Sequence, residues 1–168
     1  YAGLDLPNTI LAMREQSDGQ IVVGGIANKM GYFARFNQDG TFDTTYANNG
    51  EGVIDTSFNG RTRFTSLVVD DHDNAWFACE SAVSVDGTDT EVVVVKIDQN
   101  GNLETSFGVG GIASYNYSPY GENGGSIDID QQGRLVIGGT SETPSGNRGY
   151  LFRLNPDGSF DSDFGTVQ

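Results

Sequence analysis

The residues with the most evident chemical capacity in this 168-residue chain are clustered carboxylates. "NPDGSFDSDFG", Asn155 to Gly165, sets three acids around an Asp-Gly pair, the composition of a calcium loop. In an EF-hand the glycine is position 6 and a bidentate Glu closes the shell at position 12. With Gly158 at position 6, position 12 is Phe164, and an aromatic ring cannot stand in for a carboxylate. The stretch therefore reads as a turn, with Asp bonding its own backbone and Gly supplying a free φ. His72, the single histidine, lies in "DDHDN" with no G-x-S-x-G partner and reads as a solvated turn residue. There is no Walker-type phosphate loop, and "GVGG" at 108–111 precedes a strand-like segment rather than a helix. An acid/base pair of the glycosidase kind could lie among so many carboxylates, but no pair has a distinguishing context. The expectation is that the chain is not an enzyme, with no catalytic residue, metal or cofactor.

Charge narrows the partners. Nine Lys plus Arg against 23 Asp plus Glu give a formal charge of −14, which repels phosphate backbones and anionic membrane surfaces, so nucleic acid is not an expected partner. No apolar run approaches the roughly 20 residues of a spanning helix, and no membrane insertion is expected. Cys79 is alone, which rules out an intrachain disulfide and zinc spacings.

The acidic stretch occurs three times: "NQDGTFDTTY" at Asn37 to Tyr46, "DQNGNLETSF" at Asp98 to Phe107 and "NPDGSFDSDF" at Asn155 to Phe164. Gly40, Gly101 and Gly158 coincide, as do Arg35, Lys96 and Arg153. A second motif keeps step, "SDGQIVVGG" at Ser17 to Gly25, "HDNAWFACE" at His72 to Glu80 and "QQGRLVIGG" at Gln131 to Gly139. This alignment puts Gly19, Asn74 and Gly133 where a tight turn needs positive φ, and Cys79 at a small buried position beside glycines. Short apolar or alternating runs between turn residues predict eleven strands and no helix, and 24 glycines suit the many turns. Repeats of this length with four antiparallel strands each are the signature of propeller blades. The repeated aromatic, Tyr46, Phe107 and Phe164, is expected to anchor one blade on the next.

The pattern of "DGQIVVGG" followed by "LFRLNPDGSFDSDFG" resembles the delta-60 repeat, a β-propeller repeat of bacterial secreted and surface proteins, across essentially the whole chain. The second copy departs from it, with "NAWFACE" for the Gly-Gly strand and Glu104 for the Asp. The resemblance implies a propeller scaffold, secreted or cell-surface in a bacterium, and no particular activity.

The expected organisation is one all-β repeat domain over residues 1–168, with blade 1 at about 6–56, blade 2 at about 62–115 and blade 3 at about 123–168, a strand at 2–5 closing a blade. One face carries near-identical turns. The other carries loops that differ in every blade, and variable loops on a rigid frame are where recognition usually resides. Tyr115 to Tyr120, "YNYSPY", offers stacking rings beside amides. The candidate ligand-binding residues are Tyr117, Tyr120, Asn116 and Asn123, with Arg61 and Arg63 from the equivalent connection of the preceding blade.

Propellers normally have four to eight blades. Three leave an open arc, so the expected assembly is a homodimer closing a six-bladed ring, the alternative being a piece of a longer propeller, in line with a chain that opens on Tyr1 without an initiator Met. The expected function is a binding or scaffold module recognising a glycan or protein partner. The alternatives are a self-associating spacer and a glycoside- or ester-hydrolysing propeller with a carboxylate site.

Overall fold

The computed structural model describes residues 9–54, 56, 61–84 and 89–165. Blade 1 is β1 (Thr9–Glu15), β2 (Ile21–Ala27), β3 (Met30–Phe36) and β4 (Glu51–Ile54); blade 2 is β5 (Thr62–Val69), β6 (Ala75–Ala82), β7 (Thr90–Ile97) and β8 (Ile112–Tyr115). Blade 3 has three described strands, β9 (Glu122–Ile129), β10 (Leu135–Ser141) and β11 (Arg148–Leu154). Each sheet is an antiparallel meander in chain order, and the first strands pack side by side, β1 on β5 and β5 on β9. All eleven runs read from the sequence are strands, with ends shifted by a few residues. The closing strand expected at 2–5 lies outside the described residues.

Strand alternation explains the core. Along β7, Val93, Val95 and Ile97 face blade 1 and join Val22, Phe33, Phe64 and Phe77, while Val92 and Val94 face blade 3 and join Ile127, Leu135, Ile137 and Phe152. Buried on both faces, the strand reads as a continuous apolar run. Tyr46 fills the first junction and Phe107 the second, both fully buried, as anchors between blades.

The Asp-Gly turns latch neighbouring blades. The Ala47 N–H donates to the Asn100 carbonyl at 2.8 Å, and the equivalent Gly108 N–H donates to the Asp157 carbonyl at 2.8 Å. Gly101 and Gly158 allow this approach, since a Cβ on Gly101 would sit 2.5 Å from the Ala47 nitrogen. The turn carboxylates serve the turns themselves: Asp157 accepts from the Ser159 N–H at 2.9 Å and hydroxyl at 2.6 Å, and Asp39 does likewise with Thr41.

One alignment needs correction. The positive φ in the β5–β6 turn belongs to Asp73, at 62°, not to Asn74. Asp tolerates this conformation, and here its carboxylate also accepts from the Ser17 N–H at 2.7 Å, tying the turn to blade 1. The shift leaves Cys79 in register with Gly25 and Gly139, facing the core, and burial pushes its thiol pKa up.

Candidate functional site

The variable face of blades 2 and 3 gathers residues at strand ends. The β8–β9 connection folds over through Ser118, whose hydroxyl donates to the Glu142 carbonyl at 2.8 Å and accepts the Tyr120 N–H at 3.2 Å. Tyr117 and Tyr120 stand out from it, 48% and 49% exposed. The Tyr117 ring stacks on Tyr150 at 6.0 Å between centroids, so it is rigidly presented.

Beneath the tyrosines lies a carboxylate that the sequence reading missed. Glu122 is 0% exposed. Its Oε1 accepts the Tyr117 N–H at 3.1 Å and the Ser141 hydroxyl at 3.4 Å, while Oε2 is buried with no partner. Glu91, buried at the start of β7, also has an unpartnered oxygen, as does Asp89. Burial raises the Glu122 pKa, with Asp89 adding to it, and burial together with the Glu122 and Asp89 charges raises that of Glu91. A buried carboxylate without a cation costs free energy unless something satisfies it.

The blade before shows what a plain structural solution looks like. Thr62 pairs with Ser81 as Glu122 pairs with Ser141, and there Thr56, Thr62 and Ser81 close a buried network of neutral hydroxyls at 2.5 and 2.7 Å. Blade 3 replaces a threonine in that niche with a carboxylate it only half satisfies. This comparison was available in the sequence as Thr62 against Glu122, once the repeat register was known.

The other expected site residues are dispersed. Asn116 is exposed beside Tyr117, and Asn123 is half-buried with its carbonyl accepting the Tyr150 hydroxyl at 3.1 Å. Arg63 is engaged across the strand pair by Glu80 at 3.0 Å, and Arg61 is exposed with its carbonyl accepting the Ala82 N–H. Tyr115 turns inward, packing on Phe152 at 5.0 Å and donating to the Gly158 carbonyl.

On the opposite face Asp70, Asp71 and His72 lie within ligand distance of one another. Asp70 Oδ1 already accepts the His72 and Asn74 N–H groups, and the His72 and Asp71 side chains are exposed. This is the solvated turn expected of them.

Residues 16–46 and 133–164 match the family model described as Domain of unknown function (DUF5122) beta-propeller. The chain is built of β-propeller repeats. The matched segments lie in blades 1 and 3, and the unmatched blade 2 is the one with Asp73, Cys79, Lys96 and Glu104 at the marked positions. No curated protein matches. Among solved structures, a protein of unknown function from Bacteroides caccae superposes with a TM-score of 0.54 at 10% identity, over 95% of this chain and 46% of its own. A streptogramin B lyase gives 0.44 at 17% identity, over 94% and 45%, and a virginiamycin B lyase from Staphylococcus aureus 0.36 at 12%, over 93% and 59%. The chain thus spans about half the length of the solved proteins it resembles. The first likeness shows the fold, and no lyase chemistry is carried to this chain. The expectation that the chain is not an enzyme is nevertheless overturned by these neighbours: two of the three are lyases, so propeller blades are no ground for excluding catalysis.

Proposed function

We propose that this chain is a delta-60-type binding module of a secreted or cell-surface bacterial protein, recognising a glycan at the Tyr117, Tyr120 and Glu122 corner. The observation that carries the reading is the unpartnered, fully buried Oε2 of Glu122 beneath two half-exposed tyrosines. Sugar rings present an apolar face that stacks on tyrosine and hydroxyl donors that a carboxylate accepts. Asn116, exposed beside Tyr117, adds a polar contact at the margin. The test is a glycan array probed with the parent, with Tyr117→Ala/Tyr120→Ala and with Glu122→Gln. Retention by the parent that both variants lose supports the reading; no retention by the parent, or equal retention by all three, sinks it and leaves a protein-binding or spacer role.

A second reading has its own observation. Burial and neighbouring charge raise the Glu122 and Glu91 pKa values, the direction in which a general acid is tuned. Turnover of chromogenic glycosides or esters by the purified chain, lost in Glu122→Gln, is the result this reading needs. The absence of turnover across both substrate classes ends it.

A further inference from the structure

The two described junctions between blades are built alike, and among the described residues the same parts stand open on the outer sides of blades 1 and 3. Phe33 of blade 1 is 3% exposed and Val94 of blade 2 is 0% exposed, each covered by the following blade; the equivalent Leu151 of blade 3 is 65% exposed. Tyr46 and Phe107 are buried between blades, whereas Phe164 is half-buried under Arg153 and Gly165 beside it is exposed. β3 and β7 are covered by β4 and β8, while β11 is an edge among the described strands. Unpaired edges invite pairing with another strand.

At the other end the complementary part is free. Gly101 and Gly158 are buried against the preceding blade, but Gly40 is exposed, with nothing within 4 Å of a Cβ placed on it. Val23, Tyr32, Ala34 and Phe36 are already buried within the chain. The surface blade 1 offers is therefore the Gly40 hairpin with half-buried Ile21 and Phe42 beside it.

We propose that the outer face of blade 3 docks blade 1 of a second copy of this chain, two copies closing a six-bladed ring. The Gly165 N–H takes the role of Ala47 and Gly108, donating to the Asp39 carbonyl of the second copy as they donate to Asn100 and Asp157. Phe164 and Leu151 are covered as Tyr46 and Phe33 are. The occupant follows from continuity: a surface shaped like the blade 1 and blade 2 faces is completed by the element that completes those, and this chain carries an exposed example of it. Two copies give six blades, within the four to eight that propellers use, and three copies give nine. The Bacteroides caccae protein of like fold is about twice as long as this chain. Each copy carries −14, so long-range repulsion opposes the association and salt relieves it.

The experiment is light scattering after size exclusion of the 168-residue chain in about 0.5 M NaCl, where exposed charges are screened. The expected mass is twice 18.0 kDa, holding across a roughly tenfold dilution. Leu151→Asp touches a side chain exposed in the single copy, so its circular dichroism stays that of the parent while its mass falls to 18.0 kDa. Leu151→Ser, a milder change, weakens association without a new charge and serves if the Asp variant does not fold. A monomeric parent, a ladder of larger species, or a dimer indifferent to folded Leu151 variants overturns the proposal.

Discussion

Arg153 grips Asp161 by two bonds of 2.8 Å, Nε and Nη2 both to Oδ2, fixing the end of β11 to the turn that follows it. Arg35 and Asp43 repeat the arrangement in blade 1 at 2.8 and 2.7 Å. The guanidinium carbon in each case lies over the aromatic anchor, 4.4 Å from the centroid of Tyr46 or Phe164. Strand end, turn and anchor are thereby held as one unit. Blade 2 has lost it, since Lys96 lies over Trp76 and Glu104 bonds Ser106.

The difference is measurable. Asp43→Ala removes hydrogen bonds to a charged partner in a buried setting and is expected to cost about 2 kcal/mol. Glu104→Ala loses only two exposed bonds from Ser106 and is expected to stay within about 0.5 kcal/mol. Urea unfolding of both variants decides it, and equal costs would mean that the Arg–Asp unit is not what fixes the turn.

The anchors give a second contrast. Phe107→Ala empties a fully buried site between blades and is expected to cost about 3–5 kcal/mol. Phe164→Ala, compared in a Leu151→Asp background that keeps the chain single, is expected to cost less than half of that because the ring is half-exposed there. Thermal unfolding that ranks the two equally would refute the role assigned to blade order.

A third prediction concerns the glycines. Gly40→Ala and Gly101→Ala both place a side chain at positive φ, 81° and 89°, at a shared cost of about 1 kcal/mol. Only at Gly101 must the Ala47 backbone also move. In a monomeric background Gly101→Ala is expected to lower the melting temperature distinctly more. A match between them would deny the latch.

The titration of the molecule has two opposed components. The Arg153 bond and the Asp163 N–H, against slight burial, hold Asp161 below its ordinary value, and the Ser159 bonds do the same for Asp157. Such groups add stability above the ordinary 3.8, and it is lost as pH falls through their lower folded values. Glu122 has the reverse sign. Its raised folded pKa contributes stability below the ordinary 4.5, which is lost as pH rises through the folded value. Glu122→Gln is therefore expected to raise the melting temperature by a few degrees at about pH 8 and to leave it unchanged near pH 3.5. A lower melting temperature at pH 8 would show that the carboxylate is satisfied as it stands.

Local chemistry wrote most of the scaffold into the sequence. Turns announce themselves through Gly, Asp and Asn because only a few residues accept the required φ, and the apolar runs between them are strands because both faces of a blade are covered. Repetition then exposed Tyr46, Phe107 and Phe164 as equivalent anchors, since an arrangement used three times leaves three similar signatures. The turn at Asp73 escaped this reading because Asp tolerates positive φ nearly as well as Asn, so the two positions look alike until the backbone is traced.

What the tertiary structure alone decided is burial across the blades. Glu122 in sequence is one of 23 acids, set apart only by standing where the preceding blade has Thr62, which does not tell that it is buried. It becomes a buried, half-satisfied carboxylate only when β9 pairs with β10, which brings Ser141 to it from the next strand, and the Tyr117 connection folds back over it. The same holds for Leu151, apolar in a strand like Phe33 and Val94, yet exposed because no described blade packs against it. Pattern fixes which face of a strand is apolar; only the assembled blades determine what covers that face.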